Sequence, residues 1–497
     1  MTRFKRSLFI FRRDLRLRDN TALIEAAKRS DEIVPVFIFD PRQAGPANQY
    51  FGANAFQFLL ESIEDLEAQV AKRRGTLFSL RGEAASIVRD LIRALSIEAV
   101  FVNRDYTPFS RKRDEAIETI CREEGIAFTA EDDALLTSPG SVMTTAREPY
   151  KVFTPFFRAA RSLPVRRPAN LDRIRVHGGE IDGAGTAAMG RGLLPRRNDR
   201  LHVSGGRSEA MRVLGRISAL AGYEETRNRP ADEKGTSDLS AYNKFGCVSI
   251  REVRWTIEEE LGRDHGLVRQ LYWRDFFTHL AWNFPHVFGQ AFNRQYDEVE
   301  WDDDEEKFAA WCEGRTGFPI VDAGMRQLNE TGWMHNRVRM IVASFLTKDL
   351  HIDWRMGERY FATKLVDYDP AVNNGNWQWA SSTGADSQPY FRIFNPWLQQ
   401  KKFDPEAEYV KRWIPELANL DRRTIHVMEK VDSPLVEGYP RPMIDHRVEK
   451  EKTILWFARH QGSDGQRPRD LSSGSLAHQP RLSASRRSRT MPKRDRR

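Results

Sequence analysis

"SLFIFRRDLRLRDNTALIEAAKRSDEIVPVFIF", residues 7–39, holds two short apolar runs with a helical pattern between them. "SLFIF" and "IVPVFIF" read as buried strands, and "NTALIEAAKR" reads as an amphipathic helix. The same alternation continues to about residue 130. "TLFSL", "AVFVN" and "IAFTA" supply three more strands, and "AFQFLLESIEDLEAQVAKR" and "EAASIVRDLIRAL" supply further helices. Short apolar strands alternating with helices predict a parallel five-stranded, Rossmann-like α/β sheet over residues 1–135. No GxGxxG follows the first strand, so the usual dinucleotide fingerprint is absent.

Beyond the sheet the composition changes. Residues 165–205 are dominated by Gly, Pro and Arg and read as a long exposed connector, assigned to 136–206. From 207 to 460 the pattern is helical, as in "SIREVRWTIEEELG", "LVRQLYWRDFFTHLAW" and "MHNRVRMIVASFLTKDL". Residues 461–497 are rich in Ser, Arg and Pro and are expected to be a disordered basic tail. That tail holds ten Lys or Arg against three Asp, which is +7 of the whole chain's +8. Bulk charge therefore says almost nothing about the folded part, and any nucleic-acid surface must be a local patch.

At 497 residues the chain is too long for one ordinary core. No run approaches a membrane-spanning length, and no secretory signal is expected. Three scattered cysteines point to a reducing compartment, the cytoplasm by default, and offer no metal pair. All twelve tryptophans lie at or after Trp255. Several stand beside Asn, Gln, Arg or His rather than among aliphatics, which suits a ligand cavity better than a plain core.

Four stretches carry candidate chemistry. In "GWMHNRVRMIVASFLTKDL", Val338, Val342 and Phe345 form a core stripe, while Asn336, Arg339 and Met340 share another face. If that face is buried it needs polar partners, as the wall of a cavity would provide. Asp367 and Asp369 follow and could pair with Arg339; with no third carboxylate or His at ligand spacing, no metal is expected. In "GTSDLSAYNKFG", Thr236, Ser237 and Ser240 stand near an expected helix start, where hydroxyls and free N–H groups suit a phosphate or simply cap the helix. The stretch "NNGNWQWASSTGADSQPYFRIFNPW", 373–397, keeps neither helical nor strand period for long and reads as mostly loop. With Gln270, Trp273 and Arg274 it offers aromatic faces for bases and guanidinium groups for phosphates.

In this order "FRRDLRLRDN", "GTSDLS", "LYWRDFF", "GFPIVDAGMRQLNETGWMHNRVRMIVASFLTKDL", "DWRMGERYF" and "NNGNWQWASSTGADSQPYFRIFNP" closely resemble the DNA photolyase/cryptochrome family over most of residues 1–460. The resemblance implies FAD as cofactor. It implies that Tyr223, Thr236, Ser237, Leu239 and Ser240 bind FAD, that Arg339 and Asp367 pair near the isoalloxazine with Asp369, and that Asn373 faces flavin N5. Trp273 and Trp379 would line a pocket for a flipped-out pyrimidine dimer, with Gln270, Asn336 and Met340 at the damaged bases and Arg337, Arg392 and Gln399 on the DNA side. Trp377, Trp354 and Trp301 match the family's electron-transfer chain. The implied activity is light-driven repair of cyclobutane pyrimidine dimers in UV-damaged DNA by one electron from reduced FAD, in a monomeric enzyme.

Within the family the residues most resemble a class I cyclobutane-dimer photolyase. The (6-4) enzymes of animal type carry histidines where Asn336 and Met340 stand, and plant cryptochromes usually carry Asp in place of Asn336 and Asn373. Gln270 departs from the Glu common in cyclobutane-dimer enzymes. A (6-4) photolyase or a cryptochrome-type photoreceptor are the alternatives. Phe109 and Ser110, where folate-binding members have Asn-Glu, favour a deazaflavin or flavin antenna over methenyltetrahydrofolate.

Overall fold

The computed structural model describes residues 3–459 except 46, 172–173, 303, 388 and 431–435. Its strands are β1 (Phe4–Phe11), β2 (Ser30–Phe39), β3 (Phe78–Arg81), β4 (Ala99–Asn103) and β5 (Ala127–Glu131). They pair in parallel in the order β3-β2-β1-β4-β5, so the sheet is doubly wound about β1. The crossovers carry α1 (Thr21–Arg29), α2 (Ala53–Ala71), α3 (Ala84–Leu95) and α4 (Pro108–Glu123). Strand alternation explains the apolar runs. Leu8, Ile10, Val34 and Val36 enter the core on one face, and Phe9, Phe11, Phe37 and Phe39 enter the core on the other. All five strands read from the sequence are present.

The charged stretch after β1 goes inward rather than into solvent. Asp14, Arg16, Asp19 and Asn20 are buried. Arg251, on the helix Ile250–Leu261, donates Nε to Asp19 Oδ2 at 2.8 Å and Nη2 to Asp133 Oδ1 at 2.7 Å, while Arg16 pairs with the same Asp133. These buried charges are mutually paired, as burial requires. They rivet the sheet to the helical half, and both belong to one compact unit.

The connector is less exposed than its composition suggests. A fifth helix, α5 (Phe153–Ser162), buries Phe153 and Phe156 against the helix Gly266–Asn283. Further on, Gly185 exchanges two 2.9 Å backbone hydrogen bonds with Ser79 of β3, and Val176 bridges in parallel to Ile33 at the start of β2. The Gly-rich chain thus covers backbone groups that the edge of the sheet would leave open. The basic segment 461–497 lies outside the described residues.

Asp275, also on Gly266–Asn283, is 0% exposed. One carboxylate oxygen accepts from Thr137 N and Oγ1 at 3.0 and 3.1 Å; the other is buried without a hydrogen-bond partner among the described residues. Burial pushes this acid up to about 7, against the pull of Arg274. The folded state therefore holds a proton that the unfolded chain releases near pH 4, so stability falls as pH rises toward 7 and stays reduced above it. Asp275→Asn mimics the protonated form. It should raise the thermal midpoint by a few degrees at pH 8 and leave it unchanged at pH 4, as scanning calorimetry would report.

The sequence reading fails in one place that matters. Pro370–Ser381 is a helix, not loop, and it carries Asn373, Trp377 and Trp379. It is packed on several sides: Asn373, Asn374, Trp377, Gln378 and Ala380 are all buried, so no apolar stripe shows in the sequence. Pro370 occupies its first turn, and the Asp369 carboxylate caps it by accepting from Ala371 N at 3.2 Å and Val372 N at 3.3 Å. Among the described residues from 382 to 395 the irregular reading holds, and the helix Pro396–Phe403 follows.

Candidate flavin and DNA site

A cavity of about 330 Å³ opens among the helices. Its floor begins at Leu239, just before the helix Ser240–Phe245, where Thr236, Ser237 and Ser240 line the wall with Tyr223 nearby. Asn243 Oδ1, also on the wall, is buried without a hydrogen-bond partner among the described residues. An unpaired buried acceptor beside clustered hydroxyls at a helix start is a donor–acceptor set that suits a polar, phosphate-bearing ligand.

The opposite wall is built by the helix Asn336–Lys348. Its face is the one its spacing predicts: Val338, Val342 and Phe345 are buried in the core, while Asn336, Arg339 and Met340 line the cavity. Arg339 donates Nη1 and Nη2 to the two Asp367 oxygens at 3.1 and 3.0 Å, and Nε to Met334 O at 2.8 Å. This bidentate pair fixes a planar, polar edge in the cavity. Asp369 also lines the cavity and pairs with Arg13, two residues past the end of β1. Burial alone would raise its carboxyl, but Arg13, Lys244 and Arg274 bring it down to about 2, so it is an anion.

The Pro370–Ser381 helix completes the site. Asn373 lines the cavity and donates its amide to Glu358 O at 3.1 Å. Trp377 lines the cavity at 2% exposure, and Gly357 makes room for it: a Cβ at 357 would stand 2.2 Å from the Trp377 ring. Trp379 and Gln270 stand on the wall near Asn336, itself exposed to solvent, so this end is the mouth.

Several candidate residues lie outside the cavity. Trp273 is not on its wall, because Phe153 covers one indole face, with ring centroids 3.5 Å apart and planes 7° apart. Arg337 is held by Asn228 Oδ1 at 2.7 and 3.1 Å and stacks over Phe403, Arg392 is exposed, and Gln399 is half-buried. Trp354 is buried in the same apolar cluster as Trp377, and Trp301 packs on that cluster half-exposed, edge-on to Trp456 at 4.9 Å. The three indoles thus pass from cavity wall through core toward the surface. The sequence reading did not assign Asn243, Lys244, Met334 or Trp333 to the site; the first two stood inside the quoted "GTSDLSAYNKFG" and the last two inside "GWMHN".

A second, larger cavity of about 560 Å³ lies at the carboxyl ends of β1 and β2, the side of a doubly wound sheet where ligands bind. Phe109 and Ser110, at the start of α4, line it, and Arg42 lies 5.2 Å over the Phe109 ring. Lys244 and Tyr368 line both cavities and form the partition.

A parallel α/β sheet joined to a helical unit with a hydroxyl-to-indole cavity defines a nucleotide-cofactor protein with an open, aromatic substrate mouth. Sequence-family models agree: "DNA photolyase" matches residues 7–170 and "FAD binding domain of DNA photolyase" matches 267–459. The deoxyribodipyrimidine photo-lyase of Vibrio cholerae is 40% identical over 478 residues, spanning 91% of this chain and 99% of the relative. The archaeal photolyase of Sulfolobus tokodaii, solved with two FAD molecules, superposes with a TM-score of 0.83 at 42% identity over 91% of this chain and 100% of its own. The class III photolyase of Agrobacterium tumefaciens superposes at 0.85 with 36% identity over 93% and 98%. The chain belongs to the DNA photolyase/cryptochrome family and carries its FAD-binding domain.

The residues present fit that cofactor. The hydroxyls at Thr236, Ser237 and Ser240 suit its phosphates, and the Arg339–Asp367 edge and Asn373 suit the polar side of a flavin ring. Bound and reduced, the flavin would supply a photoexcited electron. Asp367→Asn keeps one hydrogen bond to Arg339 but removes the charge. FAD affinity should fall about tenfold, the size of one charged hydrogen bond, as read by flavin release on dilution.

Proposed function

We propose that this protein is a light-driven deoxyribodipyrimidine photo-lyase that repairs cyclobutane pyrimidine dimers. The observation that carries this reading is one cavity with two chemistries: flavin-type donors on its inner wall and Gln270, Asn336, Met340 and Trp379 at its mouth. A flipped-out dimer has two fused bases, one stacking surface and several amide edges, and those residue types match it. Trp379 supplies the stacking face. Asn336 and Gln270 supply amide hydrogen bonds, and Met340 packs against the bases. Trp273 stands outside this wall with one face against Phe153, while Arg337, Arg392 and Gln399 meet the DNA strand outside the mouth. Trp377, Trp354 and Trp301 refill the flavin with electrons from the surface.

Asn336 and Met340 point to the class I cyclobutane-dimer branch. Gln270 keeps hydrogen bonding to a thymine but offers no carboxyl proton. For the second cavity we infer a flavin-type antenna, supported by its aromatic Phe109 wall and by the two FAD molecules of the similar Sulfolobus tokodaii protein. The enzyme acts as a cytoplasmic monomer; among the described residues no helix is long and apolar enough to cross a membrane.

The test is repair of UV-damaged oligonucleotides by purified, reduced protein with and without blue light. Light-dependent loss of cyclobutane dimers is expected. Repair of (6-4) products alone, or bound flavin with no repair of either lesion, would replace this reading with the corresponding branch of the family.

A further inference from the structure

Lys348 ends the helix whose first turns line the flavin cavity, and it is 1% exposed. A lysine so deeply buried needs a reason. Its ammonium donates to Ser382 Oγ at 2.8 Å and to Arg392 O at 3.3 Å, both neutral acceptors. Ser382 is the left-handed C-cap, at φ 68°, of the Trp377/Trp379 helix. A cation is favoured there, where the last carbonyls of a helix concentrate negative charge. Arg392 stands across the loop that follows. Tyr390 anchors that loop on Phe457, with ring centroids 5.9 Å apart, while Phe391 is 50% exposed and Arg392 is exposed beside it. One buried charge therefore joins the cavity helix, the tryptophan helix and the exposed loop.

We propose that Lys348 is a positioning residue for damaged-DNA recognition, its ammonium tying the chain around Arg392 to the end of the Trp377/Trp379 helix so that Trp379 and Arg392 are presented together. This rests on the reading that those two residues meet the lesion and its strand. Burial brings the Lys348 amine down to about 7, against the pull of Asp349. The charged and titratable groups around it are Asp349 on its own helix, raised to about 6 by burial and hydrogen-bonded to His446; His446 and Glu449 from the helix His446–Arg459; and Arg392 across the loop. Below about pH 7 the ammonium is charged and binds both acceptors. Above it the neutral amine is a weaker donor and a poorer cap, so affinity for damaged DNA falls as pH rises through 7.

The experiment measures fluorescence anisotropy of a thymine-dimer oligonucleotide with FAD-loaded wild type, Lys348→Met, Ser382→Ala and Trp379→Ala, from about pH 6 to about pH 8.5. Lys348→Met should bind about tenfold more weakly than wild type at the acid end, with the two converging at the alkaline end, while bound flavin and its photoreduction stay unchanged. Ser382→Ala, which removes one acceptor, should fall between them. A lysine that only stabilised the fold would lower the melting temperature of Lys348→Met without giving this pH-dependent difference in affinity. If Trp379→Ala loses affinity but Lys348→Met matches wild type at every pH, the positioning role is wrong; if both match wild type, the DNA-side reading itself is wrong. Should Lys348→Met fail to fold, a wild-type pH profile identical to that of Ser382→Ala overturns the proposal.

Discussion

Trp379→Ala is expected to weaken binding of dimer-containing DNA by about 100-fold while FAD remains bound. The indole is half-buried at the cavity mouth, on the last turns of a helix whose earlier residues face the flavin space. An aromatic face under an extruded base is worth about 1–3 kcal/mol per base, and a fused dimer presents two bases to one ring. Phe153 already covers one face of Trp273, so the second indole cannot replace the missing surface. Affinity for undamaged duplex should change little, because that binding depends on phosphate contacts, the role proposed for Arg392, rather than on an extruded base. Competitive gel shifts with damaged and undamaged probes read the ratio, and an unchanged ratio would remove Trp379 from the substrate site.

Trp377→Phe is expected to slow light-driven reduction of oxidised enzyme by about two orders of magnitude and to leave repair by chemically reduced enzyme intact. Indole gives up an electron far more readily than benzene, so each decade of rate lost is about 1.4 kcal/mol of added barrier. Phenylalanine keeps an aromatic wall against Phe361, whose ring lies 5.0 Å from Trp377, and fits above Gly357. The packing cost is therefore small, and flavin retention separates a redox effect from a folding one. Trp311 lies edge-on to Trp377 at 6.1 Å and is buried too, but it does not line the cavity. A normal photoreduction rate in Trp377→Phe would show that a donor other than Trp377 reaches the flavin.

Much of this protein is written in local patterns. The strands of the sheet are apolar runs because both faces are covered, and that leaves a signature which survives without any tertiary knowledge. The Asn336–Lys348 helix is legible for the same reason: one face meets core and the other meets the cavity, so Val338, Val342 and Phe345 separate cleanly from Asn336, Arg339 and Met340. The hydroxyl cluster of "GTSDLS" also stands where a helix start was expected.

The Pro370–Ser381 helix was illegible because it is surrounded: with Trp377 in core, Asn373 toward the cavity and Gln378 bonded to Val287 O and Phe292 N, polar and apolar residues are buried alike and periodicity disappears. The Gly- and Pro-rich connector read as exposed because backbone pairing along β2 and β3 leaves no side-chain signal. Sequence alone determined the layers, the faces of the amphipathic helices and the residue types of the site, since these follow from neighbours a few positions apart. Only the tertiary structure decided which charges are buried and paired, as Asp19 with Arg251, and which indole keeps a free face, because those outcomes depend on partners far away in the chain.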